Sequence, residues 1–387
     1  MSTFIPRRFK EIAGFMHATY DDILDLLRDH QFIIPEYPRF DAPGNPRGIA
    51  AARAHPMQGI LKYHGLADWE WRTAFLPSLS VTNSVAYSIT LVEFDPNLKE
   101  DVATVGGQRL SGRELERVRQ SLNAVRNLAR IESGARVYSR NVVAGGRAGK
   151  GLGTSASASA ALATAAIAAA FGAEAVHNWR FLSATSRLLA GSGCRSATGG
   201  ISVWLSYPGV SHEDSFAVRL DTHGQLSNLR LVTVPLDSRI HLKTEQAHTD
   251  APNSPLFRCW MRNRRSQILQ CIKAVLQDDW LTVAQMAETD SIVLHAVTMT
   301  GGTERKLFAW EPENIALFRL CNELRAEGTP VYCSTDTGPT AVLLCTREHA
   351  SRIAERVRQS GFSALVGEIA PGAQLVSVEQ ARAELEL

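Results

Sequence analysis

The chain has no paired CxxC spacing, no excess of either charge and no export-type leader. Each absence narrows what it can be. Its six cysteines, Cys194, Cys259, Cys271, Cys321, Cys333 and Cys345, lack metal-ligand spacing and the density of a secreted disulfide scaffold, so reduced thiols in a cytosol are expected. With 41 Lys plus Arg against 39 Asp plus Glu, the totals show no nucleic-acid footprint and no polybasic membrane anchor. A small-molecule partner is expected instead. Met1 to Lys10 are polar and basic with no apolar core after them, so no secretory signal is expected. The run Ser155 to Phe171 is charge-free, but it is alanine-dense, interrupted by Ser and Thr, and short for a membrane span. It predicts a packed internal helix in a soluble protein. No internal repeat or low-complexity tail is present.

What is there begins with Gly151-Leu152-Gly153-Thr154-Ser155-Ala156-Ser157, which opens that alanine-rich stretch. Two closely spaced glycines let the backbone turn sharply and approach a ligand, Thr154 and Ser155 add hydroxyl donors, and Ala156 onward favours a helix. The amides of such a helix N-terminus suit an anion, and Lys150 just upstream adds positive charge. Read alone, the run fits equally a glycine turn before a buried helix.

The 387 residues allow two domains sharing an interface. Residues 8 to 30 carry Ile23, Leu24 and Leu27 on one face and predict an amphipathic helical appendage, followed by a turn-rich linker or arm from Pro35 to Arg47. Val85, Tyr87, Ile89 and Leu91 alternate as a strand, as do Ile201, Val203, Leu205 and Tyr207; another strand is expected near Ala135 to Asn141. Helices are expected at Gly112 to Ser133, Asn178 to Leu189, Ser254 to Leu276, Trp280 to Val297 and Pro312 to Ala326, with a turn at Ala190 to Thr198. Val331 to Thr335 and Ala341 to Cys345 read as strands joined at Gly338-Pro339, before a helix from Thr346 to Ser360. This order, without long parallel βαβ alternation, predicts an α+β fold of two sandwich-like halves. The divisions drawn are 1–45, 46–212 and 213–387.

At this point the separate segments resemble one family. GLGTSASASAA, from Gly151, is similar to the phosphate loop of the small-molecule kinase superfamily that includes galactokinase, homoserine kinase and mevalonate kinase. ILKYHG (Ile60 to Gly65), SLSVT (Ser78 to Thr82), GSGCRSATGG (Gly191 to Gly200), DSIVLHA (Asp290 to Ala296) and STDTGPTAVLL (Ser334 to Leu344) resemble segments of the mevalonate diphosphate decarboxylases. The resemblance reaches from about His55 to the C-terminus. It implies the GHMP kinase fold, two α/β-sandwich halves around a deep cleft, here with an N-terminal helical extension. It also implies a reaction: ATP with Mg²⁺ phosphorylates the tertiary 3-hydroxyl of a phosphorylated mevalonate, phosphate leaves and carbon dioxide is lost, in a cytoplasmic homodimer.

Family likeness implies that Asp336 sits beside the 3-hydroxyl, Arg195 holds the substrate carboxylate and Lys62 lies near the reacting groups. The phosphate loop residues Gly151, Gly153, Thr154, Ser155, Ala156 and Ser157 would hold the nucleotide, Ser155 would touch magnesium, and Tyr63, Ser192, Arg195 and Ser196 would bind substrate. Elementary chemistry is compatible. An aspartate on the tight turn of STDTG can accept a hydroxyl proton, although a turn cap is the plain alternative. Arg195 offers a planar fork for a carboxylate. Lys62 lies within an apolar run, where an anion would offset its cost, or it snorkels from a strand edge. Tyr63 and Trp204 are candidates for apolar walls of a dry pocket.

Two departures bear on the substrate. The family's KYWGK is Lys62-Tyr63-His64-Gly65-Leu66 here, and its GSGSACRS is shortened to Gly191-Ser192-Gly193-Cys194-Arg195-Ser196. A cation and a hydroxyl are lost. Each charged hydrogen bond is worth about 1.5 to 3 kcal/mol, so recognition of a terminal phosphate weakens about a hundredfold or more. That favours mevalonate 5-phosphate, giving isopentenyl phosphate, unless His64, Arg72 or Lys243 restores the charge for mevalonate 5-diphosphate. Met57 also replaces a family asparagine, which leaves the nucleotide contacts less defined than the reaction. A kinase that stops before decarboxylation and a non-catalytic nucleotide-binding protein are the other readings. His248, His295 and Asp250 do not match a metal-ligand set, and Arg258 to Arg265 read as a solvated helix face.

Overall fold

The computed structural model describes residues 9–146, 151–239, 244–303 and 306–387. Lys150 and Lys243 lie outside the described residues. Three antiparallel-dominated sheets and the helices laid on them form two layered halves with a cleft between.

One half is built on a six-stranded sheet in the order Gln374–Val376, Ile49–Ala54, Ala86–Asp95, Gly134–Val143, Val102–Val105, Gln108–Arg109. The helix Thr154–Phe171 lies across it, and small residues on both partners set how closely. Ala51 and Ala52 pair with Leu91 and Thr90, and a Cβ at Gly48 would fall 1.7 Å from the Ala169 carbonyl oxygen. This helix is long and apolar enough to cross a membrane, yet 78% of the stretch is buried inside the fold. Its lack of a polar face follows from burial on all sides.

A four-stranded sheet, Ala217–Arg219, Ile201–Trp204, Ser78–Thr82 and Met57–Leu61, runs antiparallel throughout. The other half carries a second four-stranded antiparallel sheet, Tyr332–Thr335, Ala341–Thr346, Leu229–Val234 and Leu365–Gly367. Met57–Leu61 and Tyr332–Thr335 are edge strands of their sheets, and the helix Trp280–Gly301 packs against both. The two edges therefore meet over one helix, which positions the cleft.

Helix Lys10–Asp29 forms as its periodicity predicts, burying Ile12, Met16, Ile23 and Leu27. It is more than an appendage: it packs on the helix Phe257–Leu276, and His17 stacks on Tyr207 at 4.6 Å. Arg258 and Arg262 pair with Glu11, and Arg265 with Asp22, so the basic helix face is a docking face for the N-terminal helix. The chain also crosses back at its far end, where Gln374–Val376 joins the sheet of the first half and helix Val378–Leu385 packs upon it. The expected turn at Ala190 to Thr198 contains a short helix, Gly193–Thr198. Gly193 permits it, since a Cβ there would lie 2.2 Å from the Ser186 carbonyl oxygen.

Candidate active site

Between the halves lies a cleft enclosing about 970 Å³, at the upper end of small-molecule sites. Its lining brings together Lys62, Tyr63, Gly151, Gly153, Thr154, Ser155, Ser192, Arg195 and Asp336. Segments far apart in the sequence converge because strand ends and helix starts all point into the gap.

Lys62 follows the edge strand Met57–Leu61, and Asp336 follows the facing edge strand Tyr332–Thr335. Lys62 Nζ lies 3.0 Å from Asp336 Oδ1 and donates to Ser334 Oγ at 2.6 Å and the Gly59 carbonyl oxygen at 2.5 Å. Gln58 Nε2 and the Gly59 amide also donate toward the Asp336 carboxylate, at 3.3 Å to Oδ1. Gly59 must be glycine for this pair to exist as built. A Cβ there would stand 2.8 Å from Lys62 Cδ and 2.9 Å from Asp336 Oδ1.

The lysine is 3% exposed, so it is held by the protein rather than trailing into solvent. Beneath it, the Lys62 amide donates to Asp290 Oδ2 at 2.6 Å, and Arg264 Nη2 donates to the Lys62 carbonyl oxygen at 3.0 Å. Asp290 in turn takes Trp260 Nε1 at 2.8 Å and pairs with Arg264 at 3.1 Å. The DSIVLHA segment thus supplies the support for the lysine. His295, from the same segment, places Nε2 3.0 Å from the Asp336 carbonyl oxygen and 2.9 Å from Thr335 Oγ1. Burial pushes its pKa down to about 3, so it is a neutral hydrogen-bonding group under Asp336.

Arg195 sits on the short helix Gly193–Thr198, almost fully buried, with its guanidinium 5.4 Å from the Tyr63 ring centroid. Nη1 donates to Ser78 Oγ at 3.0 Å, and Nε has no partner among the described residues. A buried guanidinium with donors to spare suits a carboxylate. Tyr63 is braced by Trp204, 4.8 Å away and edge-on, whose indole N–H goes to Ser215 Oγ at 3.0 Å. Trp204 is therefore a wall behind Tyr63 and not a lining residue.

The loop Gly151 to Ser155 completes the cleft. Gly151 has φ 97° and its missing Cβ would fall 2.8 Å from Gly338 Cα; Gly153 has φ 79° and would meet the Met57 carbonyl oxygen at 2.7 Å. Both glycines meet the left-handed requirement and the close approach to Gly338, two residues beyond Asp336. Ser155 is exposed in the cleft, at the start of helix Thr154–Phe171. This set fits a polyphosphate and its counter-ion.

Not every expected residue reaches the cleft. Ala156 is buried in the helix, and Ser157 Oγ is engaged by Ser88 Oγ at 2.7 Å and the Thr154 carbonyl oxygen at 3.0 Å. Ser196 is buried outside the lining. All three belong to the packing of their helices, because residues adjacent in a helix point about 100° apart. His64 supplies no charge: burial lowers its pKa to about 4. Leu66 is buried and opens the strand Leu66–Asp68, so the family's lysine position is apolar. Sequence reasoning missed Gln58, Gly59, Ser78, Ser334 and His248. His248 lines the cleft, stacks on Tyr63 at 5.2 Å and accepts the Gly65 amide at 3.1 Å. Three of these stood inside the quoted motifs, whereas Gln58 and His248 carried no signal of their own.

Comparison with known proteins agrees with this geometry. Residues 54–217 match the family described as diphosphomevalonate decarboxylase-like N-terminal domain. The phosphomevalonate decarboxylase of Haloferax volcanii is 34% identical over 333 residues, spanning 86% of this chain and 99% of that protein. The mevalonate 3,5-bisphosphate decarboxylase of Thermoplasma acidophilum is 26% identical over 85% of this chain and 78% of that protein. Structures of the mevalonate diphosphate decarboxylase from Enterococcus faecalis and of MDDEF with MVAPP, AMPPCP and magnesium align with TM-scores of 0.75 and 0.76. Each is 26% identical and covers 86% of this chain and 99% of the other. With the lysine–aspartate pair, the arginine and the glycine loop gathered in one GHMP-type cleft, and a near full-length relative above 30% identity, this chain belongs to the diphosphomevalonate decarboxylase-like family.

Proposed function

We propose that this protein is an ATP-dependent decarboxylase of mevalonate 5-phosphate, yielding isopentenyl phosphate, carbon dioxide, ADP and phosphate. The observation that carries it is the Lys62–Asp336 pair and Arg195 lining the same cleft as the Gly151 to Ser155 loop. The likeness to the Haloferax volcanii phosphomevalonate decarboxylase supports the substrate.

Asp336 accepts the proton of the 3-hydroxyl, and Lys62 balances the charge that gathers there. Arg195 grips the carboxylate through its free donors, fixing the acid beside the Tyr63 ring. The loop residues Gly151, Gly153, Thr154 and Ser155 would hold the ATP phosphates, with the Ser155 hydroxyl on Mg²⁺. When bound, ATP and Mg²⁺ supply the transferred phosphoryl group and neutralise its charge. Once O3 carries phosphate, the C3–O bond breaks, the C1–C2 electron pair becomes the C2=C3 double bond, and carbon dioxide and phosphate leave. Tyr63, backed by Trp204, keeps water from the positive character at C3. A phosphoryl-transfer step is favoured over a substrate arriving already phosphorylated at O3, because the glycine loop closes directly on Gly338 beside Asp336.

The test supplies purified protein with mevalonate 5-phosphate, mevalonate 5-diphosphate or mevalonate 3,5-bisphosphate, each with and without ATP and Mg²⁺, following carbon dioxide and phosphorus NMR. Carbon dioxide and ADP in equal amounts from the 5-phosphate are expected. ADP without carbon dioxide would make it a kinase, equal or better use of the 5-diphosphate would overturn the substrate, and ATP-independent turnover of the bisphosphate would overturn the phosphoryl step. The cytoplasmic homodimer stays part of the proposal, with light scattering as the check on its mass. Gly59→Ala should lower kcat about 10- to 100-fold with the fold intact by circular dichroism, since it displaces the Lys62–Asp336 pair.

A further inference from the structure

Arg72 and Arg117 come from different elements to the end of the cleft marked by Tyr63 and Ser192. Arg72 ends the turn between strands Leu66–Asp68 and Thr73–Ala74, with φ 50°, a left-handed conformation a non-glycine residue holds only when its surroundings impose it. Three contacts impose it. Trp71 N donates to Asp68 Oδ1 at 2.8 Å, Arg187 Nε donates to the Trp71 carbonyl oxygen at 2.7 Å, and Gln120 Nε2 donates to the Glu70 carbonyl oxygen at 2.7 Å. Gln120 and Arg117 both lie on the helix Gly112–Ala129, and Arg117 Nη2 donates to the Leu189 carbonyl oxygen just ahead of Gly191-Ser192. A Cβ at Gly191 would lie 3.0 Å from the Tyr63 hydroxyl and 3.4 Å from the Arg72 carbonyl oxygen.

Neither guanidinium is satisfied by the protein. The Nε atoms of Arg72 and Arg117 are both buried without a hydrogen-bond partner among the described residues. Burial, followed by the Arg117 charge, pushes the Arg72 guanidinium below its ordinary range, and burial does the same to Arg117. The acid whose field reaches both is Glu245, which pairs with the exposed Arg113. Buried donors without acceptors are costly, and an anion arriving between them removes that cost.

We infer that Arg72 and Arg117 form the seat of the substrate's 5-phosphate, replacing the cation lost at Leu66, and that Glu245 limits the seat to one phosphate. This rests on the decarboxylase reading above. A phosphate monoester carries close to two negative charges at pH 7, which two guanidinium forks match in charge and in hydrogen-bond geometry. A second phosphate adds negative charge near the Glu245 carboxylate, where Arg113 is already paired.

The experiment compares the parent, Arg72→Met, Arg72→Lys and Glu245→Gln on mevalonate 5-phosphate and mevalonate 5-diphosphate. For Arg72→Met, KM for the monophosphate should rise about 10- to 100-fold while kcat and the KM for ATP stay within about threefold. Arg72→Lys should fall between, and Glu245→Gln should narrow the preference for the monophosphate at least about fivefold. An Arg72→Met protein of unchanged melting temperature whose KM stays within about threefold of the parent overturns the seat, and an unchanged preference in Glu245→Gln overturns the limit to one phosphate. If Arg72→Met does not fold, Arg117→Gln is read by the same criteria. A parent that releases no carbon dioxide from mevalonate 5-phosphate overturns the decarboxylase reading instead; calorimetric titration of that compound into parent and variant then tests the seat alone.

Discussion

Replacing Asp336 with Asn is expected to cut turnover about 100- to 10,000-fold while the affinity for ATP stays within about threefold. The asparagine keeps the shape and one oxygen for Lys62, and Lys62 keeps its bonds to Ser334 and Gly59. What is lost is the oxygen able to take the hydroxyl proton. The amide nitrogen also faces the Gly59 N–H, which now donates toward both carboxylate oxygens at 3.3 and 3.4 Å. The measurement is kcat for carbon dioxide release beside direct nucleotide titration. Turnover within tenfold of the parent would remove Asp336 from proton transfer and leave it a turn cap next to Gly338.

The second large effect is on stability. Asp290→Asn should destabilise the fold by about 3 to 5 kcal/mol, read as a shift of the urea midpoint at unchanged slope. Asp290 and Arg264 are both essentially inaccessible to water, and the carboxylate also takes the Lys62 amide and the Trp260 indole. Removing its charge strands a guanidinium in the core, stacked 5.2 Å from the Trp260 ring. The double substitution Asp290→Asn with Arg264→Met should recover much of the loss, because taking out both members of a buried pair leaves no uncompensated charge. Activity should stay low in the double variant, since the strap that holds the Lys62 backbone is gone. Recovery of both stability and turnover would mean that Lys62 is positioned without Asp290.

Much of the fold was legible because burial writes a period into the chain. The helix Pro312–Ala326 has the bounds its proline start and apolar spacing predict, and Gly361 follows the helix Arg347–Gln359. Strands Ile49–Ala54 and Gln374–Val376 were not read from the sequence. IAAARA has no alternation, and alanine has little preference for strand; its place in a sheet comes from the helix Thr154–Phe171 pressing on it. Within the site, Lys62, Asp336 and Arg195 were readable through the motifs around them. Ser157 and Ser196 were expected at the ligand for the same reason, yet their positions on the helices turn them into the packing.

By itself the sequence determined which groups exist: a basic residue in an apolar strand end, an acid on a glycine turn, a glycine-rich helix start and a family-like order of short segments. It also determined what is missing, a cation at Leu66. Tertiary structure alone decided that two sheet edges meet over the helix Trp280–Gly301, so that Lys62 and Asp336 close to 3.0 Å, and that Arg72 and Arg117 share one end of the cleft. The physical reason is distance along the chain. Local propensity acts over one or two helical turns, whereas a site built from residues 274 positions apart is set by which buried surfaces fit together.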